Sequence, residues 1–140
     1  MHSSILTRRG CRPVAVVLLF GVLGCGSRPY PVRGTVTLED GTPVTAGTVV
    51  FEQRDVEKPM SARGAIQSDG KFELSTLRPG DGAVPGLYRV LVAPPAQPPD
   101  APPVKSSFDS RYSEFSTSGL EFEVKSEPND YAIRLAPRQR

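Results

Sequence analysis

From Val32 onward the chain alternates apolar and polar residues with a period of two, and no stretch of it keeps a helical period. Val32, Val36 and Leu38 share a parity with Gly34, while Arg33, Thr35, Thr37 and Glu39 take the other, so this first strand has one dry face. A turn follows at Glu39-Asp40-Gly41-Thr42-Pro43. Residues 47–53 predict a second strand with Val49 and Phe51 inward. Residues 62–67 and 71–74 flank Ser68-Asp69-Gly70, a tight hairpin signal because Asp-Gly readily supplies positive φ; Ile66, Phe72 and Leu74 point inward there. Residues 86–93 form the strongest strand, with Tyr88, Val90 and Val92 on one face and Arg89 on the other. In residues 119–125 Leu120, Phe122 and Val124 are inward and Glu121, Glu123 and Lys125 outward; residues 131–135 alternate again, Ile133 in and Arg134 out. About seven short strands without a helical segment predict an all-β fold, an antiparallel β-sandwich over residues 32–137.

One segment escapes the alternation. Residues 94–103 (PPAQPPDAPP) hold six prolines in ten positions. Proline removes the ladder donor and favours polyproline II, so a stiff protruding spacer is expected. A ligand for an aromatic groove is the alternative, but modules that read such motifs are mainly intracellular. Phe108, Tyr112 and Phe115 follow at irregular spacing and are placed to close this loop onto the edge of the fold.

The first 24 residues differ in kind. Arg8, Arg9 and Arg12 stand with no acid among them, followed by ten apolar residues, 14–23 (VAVVLLFGVL), and small residues around Cys25. Ten residues make about 15 Å of helix, half of the ~30 Å a hydrocarbon core demands, so residues 1–24 read as a cleaved export signal and residues 25–31 as a short tether. Cleavage would take three of the 17 basic residues and none of the 15 acids, turning a net charge of +2 into −1. Basic residues are scattered singly among acids, so no nucleic-acid partner is expected.

Val22-Leu23-Gly24-Cys25 resembles the lipobox of bacterial lipoproteins. The resemblance implies diacylglycerol on the Cys25 thiol, cleavage before it, and an exported protein anchored in a membrane that faces the periplasm or the cell exterior. Lipidation also accounts for an otherwise unpaired exported cysteine, because Cys11 lies in the discarded segment.

Processing removes much catalytic chemistry. The single histidine, His2, leaves with the signal, and with it any Ser/His/Asp triad, Cys/His dyad or imidazole metal ligand. A lipidated Cys25 leaves no thiolate and no zinc or iron–sulfur site. Paired carboxylates remain, but without Trp and in so small a domain a long aromatic cleft is not expected. A calcium reading of the acidic turns needs five or more converging oxygens, where each turn offers one or two. The expectation is a protein without catalytic residues, cofactor or metal.

Three stretches, VRGTVTLEDGTPVTAGTVVFEQ, SDGKFEL and PGLYRVLV, together resemble the carboxypeptidase regulatory-like domain, related in fold to the transthyretin-like sandwich. The pattern falls on Gly34, Val36, Asp40, Gly41, Pro43, Gly47, Asp69, Gly70, Phe72, Pro85, Gly86 and Tyr88 and covers roughly residues 32–92. It implies a fold and a scaffold and carries no catalytic residue across. Each position also has a local reason: Asp-Gly pairs make turns, Pro85-Gly86 opens a strand, and the Tyr88 hydroxyl is placed to bond a loop carbonyl.

Three function classes stand at this point: a structural or protein-interaction module of the cell envelope, lending an edge strand to a neighbour; a small-ligand or glycan binder using Tyr112, Phe115, Ser116, Thr117 and Ser118 in the loops at one end; and a carboxylate enzyme. The absent Trp platform ranks the first above the second, and the absent histidine puts the third last.

Overall fold

The computed structural model describes residues 27–102 and 105–139. Among them seven strands follow in chain order: β1 (Val32–Leu38), β2 (Thr48–Gln53), β3 (Ser61–Ala65), β4 (Lys71–Glu73), β5 (Gly86–Ala93), β6 (Leu120–Val124) and β7 (Asn129–Leu135). A single 3-10 turn, Ser110–Ser113, precedes β6. The export signal and Cys25 lie outside the described residues.

The strands form two sheets, β4-β1-β7 and β3-β2-β5-β6. Alternation fixes the buried face of each: Val32, Val36 and Leu38 of β1, Val49 and Phe51 of β2, Tyr88, Val90 and Val92 of β5, and Ile133 and Leu135 of β7 enter one apolar core. Burial of each large apolar side chain contributes ~1.5–3 kcal/mol. The two sheets meet at Phe51, whose ring lies 5.8 Å from Phe122 of β6 and 6.0 Å from Tyr131 of β7. Gly34 is required on the inner face of β1, because a Cβ there would stand 2.1 Å from the Tyr131 carbonyl oxygen and 2.8 Å from the Phe72 ring. Tyr88 donates its hydroxyl to the Val84 carbonyl at 2.7 Å, which satisfies the one polar atom of a side chain only 1 % exposed.

Three expectations are corrected. The fold is not wholly antiparallel: β7 runs parallel to β1 in the register Val32↔Asn129 to Leu38↔Leu135. A period of two marks faces and carries no strand direction, and β7 reaches β1 only after the chain has passed through β6 of the other sheet. The Ser68-Asp69-Gly70 turn closes as expected, with Gln67 N–H donating to the Lys71 carbonyl at 2.8 Å and Gly70 at φ +82. Yet β3 and β4 belong to different sheets, so this turn carries the chain from one sheet to the other. Finally, Leu120 and Phe122 are half-buried, because β6 is an edge strand and covers the core from one side only.

The proline-rich segment is irregular and mostly exposed across its described residues, 94–102. Pro95 is the exception on its near side: it lines a cleft of about 170 Å³ against Val44, Ala46 and Phe108.

Candidate functional site

The segment after the prolines contributes to the core. Phe108 is 1 % exposed, and Phe108 and Pro137 form a bridge in which Asp109 N–H donates to the Ala136 carbonyl at 3.0 Å and Arg138 N–H to the Ser107 carbonyl at 3.0 Å. The Asp109 carboxylate then caps the 3-10 turn by accepting from Arg111 N–H at 2.9 Å. Tyr112 is buried, and its hydroxyl accepts from Ala136 N–H at 3.1 Å and from the Arg111 guanidinium at 2.8 Å. Ser118 is buried as well; its hydroxyl donates to the Val90 carbonyl at 2.6 Å.

Of the five residues expected to share a binding surface, Tyr112 and Ser118 therefore spend their polar atoms on the fold. Ser116 and Thr117 are exposed, and the Thr117 hydroxyl donates to the Arg111 carbonyl at 2.6 Å. Phe115 is half-buried under the Arg89 guanidinium, 4.9 Å from ring centroid to Cζ. The charges around it are matched: Arg89 Nε donates to Glu52 at 2.9 Å, and Arg54 pairs with Glu121. The segment is a plug that ties β5 to the end of β7, with a small polar surface at Ser116 and Thr117.

Backbone chemistry points elsewhere. A sheet edge exposes N–H and C=O groups that need partners, and each of the four edges treats them differently. Strand β4 is three residues long. The β3 edge is tied down where Arg63 and Ser75 exchange two backbone bonds, at 2.9 and 2.8 Å. On β6, the bond from Arg54 N–H to the Leu87 carbonyl turns Leu87 toward β2, so Tyr88 and Val90 face β6, and Glu121 and Glu123 turn outward. That edge carries two like charges, and the Tyr131 hydroxyl donates to the Glu123 carbonyl.

The edge of β7 is left open. Asn129 N–H donates to the Pro31 carbonyl and the Leu135 carbonyl accepts from Glu39 N–H, so residues 129, 131, 133 and 135 turn their backbone toward β1. Asp130, Ala132 and Arg134 turn theirs outward, their side chains are exposed, and nothing among the described residues bonds these backbone groups. The window is bounded by Pro128, which has no N–H, and by the plug, which occupies both backbone groups of Ala136.

Comparison with protein-family models, curated proteins and solved structures finds no match.

The charges of the open window are also uncommitted. Among the described residues neither Asp130 nor Arg134 has an ion-pair partner, and the neighbouring Arg33 is engaged with Glu73 at 3.0 Å. Other carboxylates are held ionised by the fold. Partial burial of Asp81 opposes its charge, but three backbone N–H groups, from Thr76, Leu77 and Arg78, outweigh it and hold the carboxyl below the usual range. Asp40 and Asp69 are lowered by accepting from Thr42 and Lys71 N–H two residues on. These carboxylates serve their own loops; among the described residues no group of three or more His, Cys, Asp or Glu is placed to hold a metal ion. Nor is any described helix long and apolar enough to cross a membrane.

Residue pattern alone did not single out Asp130, Ala132 and Arg134. Alternation over residues 131–135 set Arg134 outward and left Asp130 before the strand, which in the structure begins at Asn129; an edge position depends in any case on strand order, which a period of two does not encode.

Proposed function

We propose that the chain is a lipid-anchored cell-envelope module without catalytic residues, a transthyretin-like β-sandwich that binds protein partners by strand addition along β7. The single observation that carries this reading is the row of unpaired N–H and C=O groups at Asp130, Ala132 and Arg134. In strand addition, main-chain bonds supply affinity while flanking side chains select the partner. The three other edges are short, tied down or lined with like charge, so β7 is the edge fitted for it. A lipid on Cys25, followed by the tether at residues 25–31, would hold that edge near a membrane surface, where neighbouring envelope proteins are concentrated.

Two experiments test the reading. For the anchor, Cys25→Ser should abolish incorporation of labelled palmitate; label that persists in the variant places the lipid elsewhere. For the edge, a photoreactive amino acid in place of Ala132 should give discrete protein adducts in intact envelopes, and the same group in place of Glu121 should not. Equal adducts at both positions, or none at 132, would remove β7 as the binding edge.

A further inference from the structure

We infer that the open edge of β7 pairs with the same edge of a second copy, in an antiparallel register centred on Ala132. The inference rests on the reading of β7 as a binding edge and names the partner.

Geometry and charge select the same arrangement. The outward backbone groups belong to residues 130, 132 and 134. An antiparallel ladder bonds outward residue to outward residue, and a two-fold axis at Ala132 sets Ala132 against Ala132 of the second copy, with Asp130 against Arg134 in both directions. All the open groups are then satisfied. Each free carboxylate meets a free guanidinium across the ladder, a favourable cross-strand pair. Within one copy these charges stand four residues apart, about 13 Å along a strand, too far to neutralise each other.

Sliding the register by two residues loses this match in either direction. One shift brings Arg134 against Pro128, which has no N–H to give; the other brings Asp130 against Ala136, whose edge the plug already holds. A parallel ladder sets each bonded residue opposite one whose backbone turns away, as Asn129 stands opposite Val32, so a parallel copy would present its core face on the solvent side of this sheet and lose the match of Asp130 with Arg134. The small side chain of Ala132 at the axis leaves the two backbones free to approach.

The product is a continuous six-stranded sheet, β4-β1-β7 followed by its copy in reverse. Its two-fold axis stands normal to the sheet, so the two Val32 ends lie at opposite ends of the shared ladder. Both tethers reach one membrane when the sheet lies along the surface, and confinement there raises the effective concentration of copies.

Sedimentation of the full chain, purified in detergent and run from dilute to concentrated, tests the pairing. The parent should show a reversible monomer–dimer equilibrium. Asp130→Arg and Arg134→Asp should each weaken the dimer about tenfold, because each turns two favourable pairs into two repulsive ones. The double reversal should recover parental affinity to within about threefold, and that recovery excludes damage to the fold as the cause. A parent that stays monomeric, single variants that match the parent, or a double variant that fails to recover would each overturn self-pairing. If the chain is monomeric while position 132 still cross-links a different envelope protein, strand addition stands and the second copy is excluded; if both fail, both readings fall.

Discussion

Strands β6 and β7 are the edges of the two sheets on one side of the molecule, and the fold treats them in opposite ways. The β6 edge turns Glu121 and Glu123 outward, so a second β6 laid antiparallel would set acid against acid. Its Glu123 carbonyl is occupied by the Tyr131 hydroxyl, and Glu121 is paired with Arg54. The β7 edge carries one acid and one base about a small residue, and among the described residues none of them is ion-paired or bonded through its outward backbone groups. An edge is thus closed or opened by a few side chains at outward positions. The same residue can serve both: Tyr131, on the open strand, caps the closed one.

The largest expected effect breaks the two edges together. Phe51 lies behind both, tilted or stacked against Tyr88, Phe122 and Tyr131. Phe51→Ala should cost ~3–5 kcal/mol in urea unfolding, with β6 and β7 lost in one transition. A cost below about 1 kcal/mol would mean that the sheets do not share this core.

Alkaline titration separates the edges more finely. Burial pushes the Tyr88 hydroxyl up to about 12 from the usual 10. With the folded value above the unfolded one, the protonated tyrosine stabilises the fold fully below pH ~10, and this contribution is lost as pH rises toward ~12, roughly 3 kcal/mol in all. Tyr131 is raised too, by burial first and then by the Glu123 charge. Once ionised it has no proton to donate to the Glu123 carbonyl, so the β6 cap should go while β7 stays paired with β1. Tyrosinate absorbance followed alongside circular dichroism should show Tyr88 ionising only with loss of the fold. Its ionisation near pH 10 in a folded chain would contradict its burial.

A smaller and more local change sharpens the contrast. Tyr131→Phe keeps the ring 4.8 Å from Phe122 and removes the hydroxyl, which donates to the Glu123 carbonyl and lies 3.1 Å from the Asn129 side-chain oxygen. It should cost about 1 kcal/mol by thermal or urea unfolding, because the freed carbonyl lies at an exposed edge where water replaces the lost partner. A cost near that of Phe51→Ala would mean that the hydroxyl holds the two sheets together, beyond capping one carbonyl.

Much of the fold was legible in the alternation of residues. The inward sets of β1, β2 and β5 and the Asp-Gly turns at Gly41 and Gly70 follow from period and turn chemistry alone. The parallel placement of β7 and the change of sheet between β3 and β4 did not follow, since both are choices of partner among strands whose faces read alike. The candidate site was less legible for a related reason. Tyr112 and Ser118 look like surface ligands because they are polar, yet Ala136 N–H and the Val90 carbonyl claim their hydroxyls through contacts 24 and 28 residues away in sequence. The β7 edge is made of backbone groups that every residue carries, so only the topology singles it out.

Amide hydrogen exchange, compared residue by residue between the membrane-bound full chain and dilute detergent solution, tests the use of β7 most directly. The N–H groups of Asp130, Ala132 and Arg134 should be unprotected when dilute and become protected on the membrane, while those of Glu121 and Glu123 on β6 remain unprotected in both. Rapid exchange at Ala132 in both states would show that nothing pairs with this edge and would contradict the account.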